Sequence, residues 1–189
     1  MRLMIISLFL GLSFAACKEE NQCKLIPNGT CEGSEFVDGR LKGMDLTGSN
    51  FSKANLGHAD LRGANLTNVN FTGANLSNAR FDKATMDGIN LTDADASGAS
   101  FRLIKVKKIT AKKTNLRGAD FSESDVSDSN FEGANFDGAD FRKSIFTSNN
   151  LQGANFTTSM GKDAKWTKVI CPDGSSSDVI CPEQKMTSP

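Results

Sequence analysis

The 189-residue sequence contains no tyrosine, although it has 13 phenylalanines. It has one tryptophan, one histidine and four prolines. The missing phenol points to interior sites that accept a flat ring and offer a hydroxyl no partner. Net charge is missing as well, because 22 basic side chains balance 22 acidic ones. That argues against generic nucleic-acid binding, which draws on a basic surplus. With 38% apolar residues and a mean hydropathy of −0.33, the chain can fold but is not a polytopic membrane protein. The length fits one domain with tails.

One long apolar run is present, at the start. Met1-Arg2 precedes 14 apolar or small residues, Leu3 to Ala16. The run is too short to cross a bilayer and has the form of a secretory signal over residues 1–16. It ends in FAAC, which resembles a bacterial lipobox. The resemblance implies lipidation of Cys17 and an exported, membrane-anchored lipoprotein on a periplasmic or surface face. Cleavage near Ala15 or Ala16, giving a soluble secreted product, is the alternative.

Four cysteines remain: Cys23, Cys31, Cys171 and Cys181. An even number in an exported chain reads as disulfides, with three possible connectivities. Local pairing, Cys23–Cys31 and Cys171–Cys181, is preferred because each pair flanks the middle of the chain on one side. A metal site is the weaker reading, since no CxxC occurs and the single histidine is remote.

The middle repeats every five residues. From Phe36 to Trp166 there are 27 positions at this spacing, and 20 of them are Leu or Phe. All 11 phenylalanines beyond the signal segment fall on them. Two residues earlier Ala fills 13 positions, one residue earlier Asp or Asn fills 17, and two residues later Gly fills ten. On an α-helix this period would spiral around every face. In a flat strand it would alternate between faces. The chain must therefore turn once per repeat, with the central residue and the preceding Ala inward, the Asn/Asp outward, and Gly at the corner.

The strings ANLGHADLRGANLTNVNFTGANLSNARF and FEGANFDGADF resemble the A(D/N)LXX pentapeptide-repeat family. That resemblance implies an all-β fold, a right-handed quadrilateral β-helix of nearly seven coils over residues 34–168. Residues 17–33 would form a tether and lower cap, and 169–189 an upper cap and tail. At about 4.7–4.9 Å per rung the rod is roughly 32 Å long. Stacks such as Phe101 on Phe121 on Phe141 would fill it, with Trp166 across the top. Disulfide-closed caps argue against head-to-tail filaments, so a monomer is expected.

Charge is uneven in one place. Arg102, Lys105, Lys107, Lys108, Lys112, Lys113 and Arg117 form a stretch without acids, a candidate belt for an acidic partner. A 20-residue coil also sets Lys105, Lys108, Lys112 and Arg117 under Asp125, Asp128, Glu132 and Asp137, which predicts a solvated charge ladder instead. Exposed pairs of this kind contribute about 0–1 kcal/mol each. His58, one coil above Asp38, is expected at an outward corner. No catalytic, cofactor-binding or metal-binding constellation is legible, and no cofactor is expected. These features point to a non-enzymatic envelope module for an unknown protein or envelope component, with the membrane reached through the anchor. The family resemblance implies a second possibility, a DNA mimic acting on DNA gyrase. The export signal and balanced charge oppose it.

Overall fold

The computed structural model describes residues 23–177 and 181. The signal segment 1–16, Cys17 and the end of the C-terminal segment lie outside the described residues. Among the described residues there is no helix. The backbone instead climbs in square coils. One column of parallel bridges runs Thr30, Asn50, Asn70, Asn90, Thr110, Asn130, Asn150, Ile170, a step of 20 residues each time. Four sides of five residues make that step, so the architecture is a quadrilateral β-helix.

Each coil bonds to both neighbours. The Phe51 N–H donates to Asn70 O above at 2.8 Å, and the Asn50 N–H to Gly29 O below at 2.9 Å. Within a corner, the Ala54 N–H returns to Phe51 O at 3.1 Å, with Lys53 at φ 56°. That is the geometry of a type II turn, whose third residue needs positive φ. Glycine was expected to mark these corners. The conformation proves universal: 18 non-glycine residues adopt it, including Leu103, Lys108 and Thr158. The repeating hydrogen-bond frame imposes it whatever the side chain.

The outward Asn/Asp residues explain how such corners are held. Asn70 Oδ1 accepts the Thr72 N–H at 3.0 Å and the Thr72 hydroxyl at 2.6 Å. The same carboxamide or carboxylate closure recurs at Asp45, Asn90, Asn130 and Asn155. An Asx side chain bonding two residues on substitutes for a backbone turn contact.

The interior is solid. Phe81, Phe101, Phe121 and Phe141 stack with successive centroid distances of 4.9, 4.8 and 5.7 Å. Each buried Leu or Phe contributes about 1.5–3 kcal/mol before ordering costs. The smaller inward slot takes Ala, or a hydroxyl residue that finds a carbonyl. Thr114 donates to Leu91 O at 2.7 Å and Ser124 to Phe101 O at 2.6 Å. On one side the corners open into strands β1 (Lys105–Lys107), β2 (Asp125–Ser127), β3 (Ile145–Thr147) and β4 (Lys165–Thr167), paired in parallel. There the Ile109 N–H bonds Ser129 Oγ at 3.0 Å, and the Ser129 N–H bonds Asn149 Oδ1 at 2.9 Å.

Both cysteine pairs are bonded as disulfides, Cys23–Cys31 and Cys171–Cys181. Cys31 and Cys171 themselves occupy the inward register, one repeat below Phe36 and one above Trp166, and both are buried. Trp166 closes the upper core, 4.6 Å from Phe146, 5.2 Å from Phe141 and 5.8 Å from Phe156 between ring centroids. Its buried Nε1 has no partner among the described residues. Above it β5 (Val169–Ile170) pairs antiparallel with β6 (Ser176–Ser177).

Candidate functional site

A filled interior leaves the four outer sides as the surfaces that can meet a partner, and they differ sharply. Two adjacent sides carry amide ladders. On one, Asn75 Nδ2 reaches Asn55 Oδ1 at 2.8 Å and Asn55 Nδ2 reaches Glu35 Oε2 at 2.8 Å. Higher on the same side Asn115 reaches Asp95 at 2.9 Å and Asn155 reaches Asn135 at 3.0 Å. On the other, Asn70 reaches Asn50 at 3.2 Å and Asn150 reaches Asn130 at 3.3 Å. From sequence these residues read only as outward-pointing. The 20-residue repetition of Asn was the signal for the ladder.

A third side gathers charge. Five of the six arginines among the described residues lie on it: Arg40, Arg62, Arg80, Arg102 and Arg142. Five of the eight ion pairs among the described residues also lie there. They are Arg62–Asp60 at 2.6 Å, Arg80–Asp82 at 3.7 Å, Arg102–Asp120 at 3.6 Å, Arg102–Glu123 at 3.2 Å and Arg142–Asp140 at 2.5 Å. Three of these join residues two apart across a corner, a pairing the coil arithmetic did not anticipate. The Arg62 hydrogen bonds hold the Asp60 carboxyl at about 2. Burial works against ionisation of Asp140, but hydrogen bonds from Arg142 outweigh it and its pKa is lowered. Arg102, Asp120, Ser122, Glu123, Arg142 and Lys143 line a shallow recess of about 250 Å³ on this side. Its acids and guanidiniums face one another, and Lys143 stands at its edge without an ion pair among the described residues, so it offers charge recognition.

The basic stretch 102–117 spans most of one coil, so its cations encircle the rod. Arg102 stands on the charged side, Lys105, Lys107 and Lys108 on and just after β1, and Lys112, Lys113 and Arg117 on the amide sides. Two of the expected ladder pairs form, Lys112–Glu132 at 2.8 Å and Arg117–Asp137 at 3.2 Å. The other two do not. Lys105 and Asp125 are in register on β1 and β2, yet they form no ion pair, and neither do Lys108 and Asp128. Their corner is the strand-like one, and both lysines are exposed there. Of the seven cations of this stretch, Lys105, Lys107, Lys108 and Lys113 form no ion pair among the described residues.

His58 is exposed at a corner with φ 59°, and its ring makes no hydrogen bond or ion pair among the described residues. No group of three or more His, Cys, Asp or Glu among the described residues is placed to hold a metal ion.

The model of the pentapeptide repeat region matches residues 34–111, and that of pentapeptide repeats in eight copies matches residues 110–138 and 127–159. The chain belongs to the pentapeptide-repeat family. None of the curated proteins matches in sequence. Among solved structures, this pentapeptide-repeat protein is similar to a trypsin-treated variant of QnrB1, a plasmid-mediated fluoroquinolone resistance protein. The two are 18% identical over 75% of this chain and 84% of that one, with a TM-score of 0.41. It is also similar to Rfr23, a pentapeptide repeat protein of the cyanobacterium Cyanothece 51142, at 21% identity over 75% and 90%, TM-score 0.43. A pentapeptide repeat protein from the Arabidopsis thaliana thylakoid lumen is 24% identical over 62% and 65%, with a TM-score of 0.30.

Proposed function

We propose that this pentapeptide-repeat protein is a non-enzymatic binding scaffold, exported and held at a bacterial envelope by lipid on Cys17. The observation that carries the binding role is the solid core. The inward columns are filled, mainly by Leu, Phe and Ala, so a ligand or partner must engage the outer sides or an end of the rod. Enzymes generally need a concave pocket with converging polar groups, and the acids and arginines of the shallow charged recess are already engaged with one another.

Support for export comes from the Met1–Cys17 segment and from the cysteines. All four others are consumed in two short-range disulfides, a use of cysteine that fits an oxidising compartment. Mass spectrometry of the mature N-terminus, combined with membrane fractionation, tests the anchor. The expected product begins at an acylated Cys17 and sediments with membranes; a soluble, unmodified product overturns it. A pull-down with Lys107, Lys108, Lys112 and Lys113 reversed in charge tests whether the belt takes part. Loss of a partner supports the belt, and an unchanged set of partners removes it.

A further inference from the structure

The two ends of the rod are closed unequally. At the top the inward residues Trp166 and Phe156 are 5% and 6% exposed, with Val169, Cys171 and Cys181 buried as well and Ile170 the one large apolar residue exposed there among the described residues. At the bottom the first coil offers Ile26, Cys31, Phe36 and Leu41 to the same four inward columns. Cys31 and Leu41 are buried, but Ile26 is 52% exposed and Phe36 only partly buried. Val37, beside Phe36, is 50% exposed. Among the described residues the lower backbone edge is unpaired too. The Asn55 and Asp60 N–H groups donate to Ser34 and Gly39 in the coil beneath at 2.9 and 2.8 Å. Their counterparts on Glu35 and Arg40 have no partner among the described residues.

We infer that this lower end rests on the membrane surface, with Ile26 and Val37 at the acyl boundary and the open edge in the hydrated headgroup layer. The inference rests on the reading of Cys17 as lipidated. Five residues, 18–22, separate Cys17 from Cys23. At about 3.3–3.6 Å per residue they hold Cys23 within roughly 20 Å of the acylated cysteine. That short tether keeps the lower end beside the bilayer at high effective concentration, so a small apolar contact is sufficient. Along the sides the exposed large apolar residues among those described are Leu103 and Ile145, two coils apart and less exposed than Ile26 and Val37, in surroundings of amides and ion pairs. Around the lower rim Lys24, Arg40 and Lys42 stand against Glu32, Glu35 and Asp38, three charges of each sign. The contact therefore fits a zwitterionic headgroup layer and does not call for anionic lipid. Water and headgroups also satisfy an edge that would otherwise template strand pairing with a second copy.

The test uses lipidated mature protein in phosphatidylcholine vesicles whose acyl chains carry bromine near the headgroup. Trp166, buried at the far end, is the internal reference. The fluorescence added by Ile26→Trp, and separately by Val37→Trp, is expected to fall about twofold in these vesicles, as for a side chain at the acyl boundary. Fluorescence added by Ile170→Trp, at the opposite end, is expected to be unaffected. Equal quenching at positions 26 and 170 means that the rod lies flat and overturns the inference. Absence of quenching at 26 and 37 also overturns it, and a Val37-centred cross-link between copies would then identify a second chain as the occupant. An unmodified Cys17 in the mass spectrum of the same sample, or failure to float with vesicles, removes the anchor and the seat together. An acylated, floating protein without quenching removes the seat alone.

Discussion

Asn75 joins two kinds of contact in one carboxamide: its Nδ2 donates to Asn55 Oδ1 one coil below at 2.8 Å, and its Oδ1 accepts the Ser77 N–H at 3.1 Å. The first bond ties rungs together along the outside, and the second holds the corner shut. Asn75 is also in register with Asp95 in the coil above.

Asn75→Ala is expected to lose both contacts and about 1–3 kcal/mol of stability, at about 0.5–1.5 kcal/mol per hydrogen bond. Asn75→Asp keeps the acceptor for Ser77 but lacks the donor to Asn55, and it sets a second carboxylate next to Asp95. Like charges facing across a ladder repel. The Asp variant should therefore be less stable than wild type at neutral pH and recover part of the difference near pH 3. Thermal melting at the two pH values checks this.

The core was the most legible part of the molecule in sequence, because burial is periodic. Each inward residue recurs every five positions, and only a turning chain makes that period consistent. The outer contacts were less legible because they depend on atoms rather than polarity. An outward Asn looks the same whether it is solvated or, like Asn75, bonded to the rung below. Charge pairing was half legible for a similar reason: Lys112–Glu132 and Arg117–Asp137 form as the coil step predicts, and the pairs of Lys105 and Lys108 do not. Coil arithmetic places Lys105 beneath Asp125 but says nothing of lateral reach, whereas Arg62 finds Asp60 within its own corner.

Corner conformation gives the second prediction. Leu103 holds φ 57° while its side chain is largely exposed, and an L residue in this region costs about 1–2 kcal/mol relative to the usual helical conformation. Glycine carries no such cost but loses more chain entropy on folding. Leu103→Gly should be net stabilising by about 0.5–1 kcal/mol. Gly63→Ala is the converse. Its added methyl would meet open space, yet φ stays at 64°, so destabilisation of about 1 kcal/mol is expected from backbone strain alone. Chemical denaturation of the two variants separates conformational strain from crowding.

Acid sensitivity is set partly by Asp60. The Arg62 hydrogen bonds lower its folded pKa to about 2, below the value of about 3.9 typical of an unfolded chain. The folded state therefore binds fewer protons at this site. The stabilisation is complete above the unfolded value and is lost as pH falls through about 2. After solvent screening of a surface pair it is worth about 1 kcal/mol. Arg62→Ala should be less stable than wild type at pH 6, and the gap should narrow towards pH 2. A melting series from pH 6 to pH 2 gives the sign directly, and a gap that widens in acid contradicts the assignment.

A tyrosine-free core predicts a strong cost for restoring the phenol. Phe101 is 1% exposed and stacked between Phe81 and Phe121 at 4.9 and 4.8 Å. Adding a hydroxyl to its ring inserts a polar atom into a column whose own carbonyls already serve the ladder, the turn or Ser124. Phe101→Tyr should cost about 2–4 kcal/mol from overpacking and an unpartnered hydroxyl. Phe36 belongs to the same inward class, but it lies in the first coil and is only partly buried. There the phenol oxygen can reach water at the lower end, so Phe36→Tyr should change stability by under about 1 kcal/mol. Denaturant unfolding of the pair tests whether position along the rod, rather than ring chemistry alone, keeps tyrosine out. Equal penalties at both sites would mean that the lower end is as closed as the middle, which would also count against its seat on the membrane.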